Sequence, residues 1–396
     1  MPPLTLMIVA GERSGDVYGG RLAQTLKTRY PELPLFGCGG DMMRQAGVET
    51  AADLQQFAMV GITEVVSGLP RAYQAFHRLV REAARRRPRL AILIDSPSLN
   101  MRLAKRLKRL GIPVLYFISP QIWAWKKWRL RQLASLVDRM VCIFDFEPEI
   151  YHRAGIPAEY AGHPLVDAVA PRLSREEFIT QAGLDPAIPT VALLPGSREI
   201  EIAYVLPTLL DAVEQLSSRR RLQFVLAAAP TLNVHALEGR LRRNPEAMRH
   251  VHLVSHSTYE ALAYSELAIV ASGTATVEAA LLERPMVVVY RVSLVTAFFA
   301  RRMVDTPFFS MVNILAGKRV VQELIQKDFT ASRVTAEALR LLEDAPLRSE
   351  MLAELRAVRL RLGESGAIER VADTAVRMVR ESGAALPAPA ASAITR

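Results

Sequence analysis

Residues 90–100 read LAILIDSPSLN. A short apolar run goes straight into Asp95, then a Ser-Pro-Ser break, then Asn100. Such a run, bounded by turn residues, is the pattern of a strand buried on both faces. Its carboxylate then sits at the rim of a sheet. The segments on either side, RLVREAARRRPRL (78–90) and RLAKRLKRL (102–110), carry the spacing of amphipathic helices. Outward from them lie TLMIVA (5–10), LPLFGCGG (33–40), IPVLYFIS (112–119) and MVCIF (140–144), each read as a strand. Strands alternating with helices in this way predict a doubly wound α/β sheet.

The alternation breaks at GHPLVDAVAPRLSREEF (162–178), a polar, proline-bearing stretch that suits a hinge. It restarts with TVALLPGS (190–197), LQFVLAAAP (222–230), VHLVSH (251–256), LAIVASG (267–273) and PMVVVY (285–290). We expect two Rossmann-like doubly wound domains facing a cleft, over 1–165 and 176–333. Helices follow over 334–381, and a disordered small-residue tail over 382–396. The helical segment fits either a return to the first lobe or exchange with a second chain in a homodimer.

The chain has 396 residues, half of them hydrophobic, enough for two cores. Cys38 and Cys142 follow no metal or redox spacing, so a reducing compartment without disulfides is expected. The start, MPPLTLMIVAGERSGD, lacks a basic leader and reads as a first strand rather than a signal peptide. No apolar run approaches a membrane span. The net charge of +10 calls for an acidic partner or a set of solvated helix faces. All three tryptophans fall in the basic run WAWKKWRLRQL (123–133), at Trp123, Trp125 and Trp128 beside Lys126, Lys127 and Arg129. That mixture suits an anionic headgroup interface. With no zinc-finger or RNP-type signature, a nucleic-acid partner is not expected.

Three strand ends carry candidate chemistry. In LLPGSREIEI (193–202), Gly196 and Ser197 open a helix whose free amides suit a phosphate, and Arg198 adds a charged fork. Glu199 and Glu201 suit the first helical turn. An ordinary capped turn reads equally well. Ser272, Gly273 and Thr274 open a second such helix, with Glu278 placed for a ribose. In AGERSGD (10–16), Glu12 and Asp16 either bind a sugar hydroxyl or cap the helix. His163, at the hinge, either lines the cleft or locks the hinge by hydrogen bonding. HVHLVSH (250–256) looks metal-like, but His250 and His252 alternate along a strand without a third ligand at familiar spacing, so no metal site is expected.

Together these segments resemble the lipid-A-disaccharide synthase family, bacterial glycosyltransferases of family 19 with the glycosyltransferase-B fold. The resemblance is carried by AGERSGD, GCGG, MVGITEVV, ISPQIWAWK, GHPLVD, LLPGSREIEI, SGTATVEAALLERPMVVVYR and MVNILAGK. It implies an inverting transfer from a UDP-2,3-diacylglucosamine donor to the 6-hydroxyl of 2,3-diacylglucosamine 1-phosphate, with no cofactor or metal. Gly196, Ser197, Arg198, Ser272, Gly273, Thr274, Glu278 and Asn313 would serve the donor. Asp16, Ser98, Asn100 and His163 would lie on the acceptor side. A position on the inner face of the cytoplasmic membrane is implied, with Phe298, Phe299, Phe308 and Phe309 in contact with lipid or packed in a core. Family members commonly place a second acid where this chain has Ser98, and that acid is the usual base. Serine cannot take the proton unaided, so Asp95 or Glu12 is expected to be the base, with Ser98 positioning the hydroxyl. Other readings are a 2-epimerase or another hexosaminyltransferase of the same fold, or a non-catalytic membrane or nucleic-acid binder.

Overall fold

A computed structural model describes residues 4–57, 62–120, 128–293 and 307–390. The chain forms two compact units, Met1–Pro164 with Gly363–Arg396, and Leu165–Leu362. Each is built on one parallel sheet covered by helices.

In the first unit the strands are β1 (Leu6–Ala10), β2 (Leu35–Gly39), β3 (Glu49–Asp53), β4 (Leu90–Ile94), β5 (Val114–Phe117), β6 (Arg139–Cys142) and β7 (Ala158–Tyr160). They lie in the order β3-β2-β1-β4-β5-β6-β7. The second unit holds β8 (Thr190–Leu194), β9 (Gln223–Ala228), β10 (Val251–Ser255), β11 (Leu267–Ala271), β12 (Met286–Tyr290) and β13 (Gln322–Ile325), in the order β10-β9-β8-β11-β12-β13. Every residue of β1, β4, β8 and β11 is buried. That is why these strands read as unbroken apolar runs: helices on both faces leave no side to water. The doubly wound α/β expectation is borne out in both halves. Cys38 and Cys142 are free thiols inside the first core, and burial raises the Cys38 thiol to about 12.

The C-terminal helices divide between the units. Helices Ala331–Glu343 and Ala345–Arg361 belong to the second, while helix Ala367–Glu381 belongs to the first and packs on helix Arg13–Arg29 and β4. Its apolar side, from Ala367 to Val379, is buried. Arg377 pairs with Glu159 at 2.6 Å, and Arg370 Nε donates to Ala161 O at 2.7 Å. The last described helix of the chain thus packs back on its first unit. Residues 384–390 have no regular structure, and Ala390 N donates to Arg29 O at 2.9 Å.

Candidate active sites at two strand-order reversals

In each sheet the chain builds outward in one direction, returns to the middle, and builds outward in the other. The reversal falls between β1 and β4 in the first unit and between β8 and β11 in the second. Neighbouring crossover helices leave in opposite directions there, which opens a crevice at the carboxyl ends of the strands. The register brings the candidate loops level. Ala10 pairs with Ile94, so Gly11 and Asp95 emerge side by side; Val270 pairs with Leu194, so the Pro195–Ser197 and Ser272–Thr274 turns do the same.

The first reversal is acidic and strained. Asp95 and Ser96 have φ of +47° and +43°, the left-handed region that side chains with a Cβ seldom adopt. Such conformations persist where surrounding contacts over-determine them. Here Asn100 Nδ2 donates to Ile94 O at 2.9 Å and to Asp95 O at 2.8 Å, and the Tyr116 hydroxyl donates to Asp95 O at 2.6 Å. Both clamps are buried. Gly11 admits the kinked turn, because a Cβ there would lie 2.7 Å from Ser96 Oγ and 3.1 Å from Leu99 Cδ2. The Asp95 carboxyl is raised to about 6, chiefly by burial and then by the charge of Glu12, against a lowering hydrogen bond from the Ser96 backbone. Glu12 itself is exposed at the start of helix Arg13–Arg29. Ser98 is exposed on the first turn of helix Pro97–Arg109, where Leu99 turns inward. Two polar atoms of this corner, Ser96 Oγ and Asn100 Oδ1, are buried without a hydrogen-bond partner. One strand further, Ile118 is also left-handed, at φ +64°. Ser119 donates to the fully buried Glu147 at 2.5 Å, and Tyr151 donates to Pro120 O at 2.9 Å, fixing the start of the ISPQIW segment.

The second reversal is rich in backbone donors. After β8, Gly196 has φ +127°, and a Cβ there would lie 2.6 Å from Glu201 Oε2. That oxygen accepts from Ser197 N at 2.9 Å and Arg198 N at 3.3 Å. The Arg198 guanidinium lies 3.6 Å from Glu201 Oε1, with its side chain 70% exposed. After β11, Ser272 Oγ donates to Phe309 O at 3.1 Å, while Gly273 and Thr274 lie exposed at the start of helix Thr274–Leu281. Burial raises the Glu278 carboxyl to about 7, and the Tyr259 hydroxyl, 3.5 Å away, pulls it down.

Some expected ligands prove to be held by the fold itself. Asp16 is buried, and its carboxylate accepts from Gly40 N at 2.6 Å, Met42 N at 3.1 Å and Met43 N at 3.2 Å. It caps helix Asp41–Gln45, one strand away from its own helix. Asn313 is fully buried. Its amide nitrogen donates to Val321 O and Glu323 Oε1, both at 2.9 Å, and its oxygen accepts from Val320 N at 2.7 Å and Val321 N at 3.0 Å. All four bonding positions of the amide are filled, so Asn313 orders the segment leading into β13 and has none left for a donor molecule. Asn100 likewise acts through the Asp95 backbone. His163 is buried, its ring 5.4 Å from that of Phe144, and burial lowers it to about 3, so it is neutral at physiological pH. His252 lies on β10 with Nδ1 3.0 Å from Ala182 O. Tyr116 and Glu201, which hold these two corners, carry no mark of a site role in the sequence. Tyr116 gives no signal beyond its strand, whereas a Glu three residues after a helix start is a known capping pattern. Trp123, Trp125, Lys126, Lys127, Phe298 and Phe299 lie outside the described residues. Trp128 and Arg129 open helix Trp128–Ala134, Phe308 is half-buried and Phe309 is 44% exposed.

Residues 6–370 match the family model described as lipid-A-disaccharide synthetase. A lipid-A-disaccharide synthase of Solibacter usitatus is 43% identical over 368 residues, covering 93% of this chain and 95% of its own. That of Myxococcus xanthus is 43% identical over 378 residues, covering 95% and 98%. Among solved structures, a UDP-GlcNAc 2-epimerase from Neisseria meningitidis bound to UDP-GlcNAc shares the two-sheet fold with a TM-score of 0.64. It has 12% sequence identity and covers 94% of this chain and 99% of its own. At that identity the likeness speaks for the fold, while the sequence matches over nearly the full length speak for kinship. The chain belongs to the lipid-A-disaccharide synthetase family.

Proposed function

We propose that this chain transfers 2,3-diacylglucosamine from its UDP conjugate to the 6-hydroxyl of 2,3-diacylglucosamine 1-phosphate. The products are the β-1,6-linked disaccharide 1-phosphate and UDP. The observation that carries the reading is the Asp95 carboxyl, fixed in a clamped left-handed turn and raised to about 6. A base with that value is mostly ionised at neutral pH yet still basic enough to draw a proton from an alcohol in the transition state. Asp95 takes the proton of the acceptor 6-hydroxyl as that oxygen bonds to the anomeric carbon. The anomeric C–O bond to the diphosphate breaks on the opposite face, inverting the carbon, and the electron pair leaves with UDP. Arg198 and the amides of Ser197 and Arg198 hold the diphosphate and its growing charge, and oriented donors of this kind are a large part of catalysis. Ser272, Gly273 and Thr274 add the second donor-side turn. Mass spectrometry of the disaccharide 1-phosphate, together with UDP release, tests the reaction; release of UDP-free sugar or epimerised donor would point to the epimerase reading.

We assign the first unit to the acceptor and the second to the donor. No helix among the described residues is long and apolar enough to cross a membrane. Arg78, Arg81 and Arg85 on helix Ile62–Arg86 and Arg102, Lys105, Arg106 and Arg109 on helix Pro97–Arg109 are exposed. This basic surface supports peripheral binding to an anionic membrane, where both acylated substrates reside. Co-sedimentation with anionic vesicles that is lost at high salt, and absent with neutral vesicles, tests that placement.

A further inference from the structure

The donor cradle at the end of β8 already holds an anion. Glu201 Oε2 accepts from the amides of both Ser197 and Arg198, at 2.9 and 3.3 Å. Its other oxygen faces the Arg198 guanidinium at 3.6 Å. Gly196 leaves the space this carboxylate fills, since a Cβ there would lie 2.7 Å from Glu201 Cβ. Tyr290, at the end of β12, feels the same pair: burial and then Glu201 raise its phenol, while Arg198 lowers it. Glu199 turns away, to Arg240 at 2.8 Å. The donors that face Glu201 are therefore the donors assigned above to the diphosphate. One amide hydrogen cannot serve both anions at full strength, and two anions on one guanidinium repel.

We infer that Glu201 is an internal substitute for the donor phosphate, seated in the cradle when it is empty and displaced when UDP or its sugar conjugate binds. This rests on the donor reading of the Pro195–Arg198 turn. The substitute keeps the amides pointed inward in the absence of ligand, so little reorganisation accompanies binding. Its return also competes with UDP after transfer and speeds product release. An ordinary helix cap of the same residues lowers no ligand's affinity.

UDP binding by calorimetry and UDP dissociation by stopped flow, in the whole protein, separate these roles. Glu201→Gln keeps a neutral acceptor over the amides but gives up the competing charge. Hydrogen bonds from the amides to a charged rather than a neutral acceptor differ by about 1.4 kcal/mol, or roughly tenfold in affinity. We expect Glu201→Gln to bind UDP about tenfold more tightly and release it more slowly, with a lower melting temperature in the absence of UDP. Glu201→Asp, too short to reach both amides, should show the same direction. Unchanged or weaker UDP binding in both variants, with binding still lost in Arg198→Ala, overturns the substitute and leaves the donor assignment standing. No UDP binding by the unsubstituted protein, or binding untouched by Arg198→Ala, overturns the donor assignment itself.

Discussion

The two strand-order reversals share a topology and differ in charge. Between β1 and β4, the groups presented are carboxylates: Glu12 after β1, and Asp95 on a turn held by Asn100 and Tyr116. Between β8 and β11, they are backbone amides, one guanidinium and a resident carboxylate, Glu201. We assign proton abstraction from the nucleophile to the first and the receipt of negative charge to the second. The fold supplies the crevice twice, and a handful of residues at strand ends decide what each crevice does.

The largest break in this comparison comes from removing the acid of the first reversal. Asp95→Asn should lower turnover by about a hundredfold to ten-thousandfold in a UDP-release assay, with UDP affinity unchanged. The same variant should be more stable. The carboxyl's ordinary value is 3.8 and its folded value about 6. Asp95 therefore favours the fold below about pH 4, and that contribution is lost as pH rises through 6. A neutral amide avoids the loss, so denaturation at pH 7.5 should show a gain of about 3 kcal/mol that largely disappears near pH 4. Next in size is the charge of the second reversal: Arg198→Ala should weaken UDP binding and kcat/KM by about a hundredfold. Equal losses of UDP affinity in the Asp95 and Arg198 variants would erase the division of labour.

A smaller effect sharpens the first reversal. Glu12 raises the Asp95 carboxyl, so Glu12→Gln should move the acidic limb of the pH–kcat/KM profile below 6. At pH 5.5, activity relative to each enzyme's own plateau should rise by up to about threefold. An unmoved limb would mean that another group sets it. The smallest effect is expected at Ser98, which is exposed and can only orient a hydroxyl. Ser98→Ala should stay within about twofold of the parent rate.

Much of this was legible in LAILIDSPSLN, LLPGSREIEI and LAIVASG, because buried parallel strands leave an unmistakable apolar run and their ends are marked by glycine, serine and acid. What could not be read was whether a polar side chain still had bonding capacity to offer. Asp16 and Asn313 have the residue types and positions of ligands, yet they are occupied by backbone amides and carbonyls and, for Asn313, also by the Glu323 carboxylate, 24 to 27 and 7 to 10 residues away. Glu201 shows the converse. Its spacing reads as a cap, and only the geometry shows that the cap sits on the atoms assigned to the donor. The clamps on Asp95 were hidden for a similar reason: Tyr116 comes from a neighbouring strand, and strand order is not written in any one segment.

The return of helix Ala367–Glu381 to the first unit bears on how the protein is made. During synthesis the first-unit sheet emerges from the ribosome long before the helix that covers helix Arg13–Arg29 and β4. The second unit, Leu165–Leu362, is one continuous segment and can complete itself while the first still waits with an apolar face uncovered. Nascent chains of this protein are therefore expected to complete the second unit while helix Arg13–Arg29 and β4 still lack the cover that helix Ala367–Glu381 supplies.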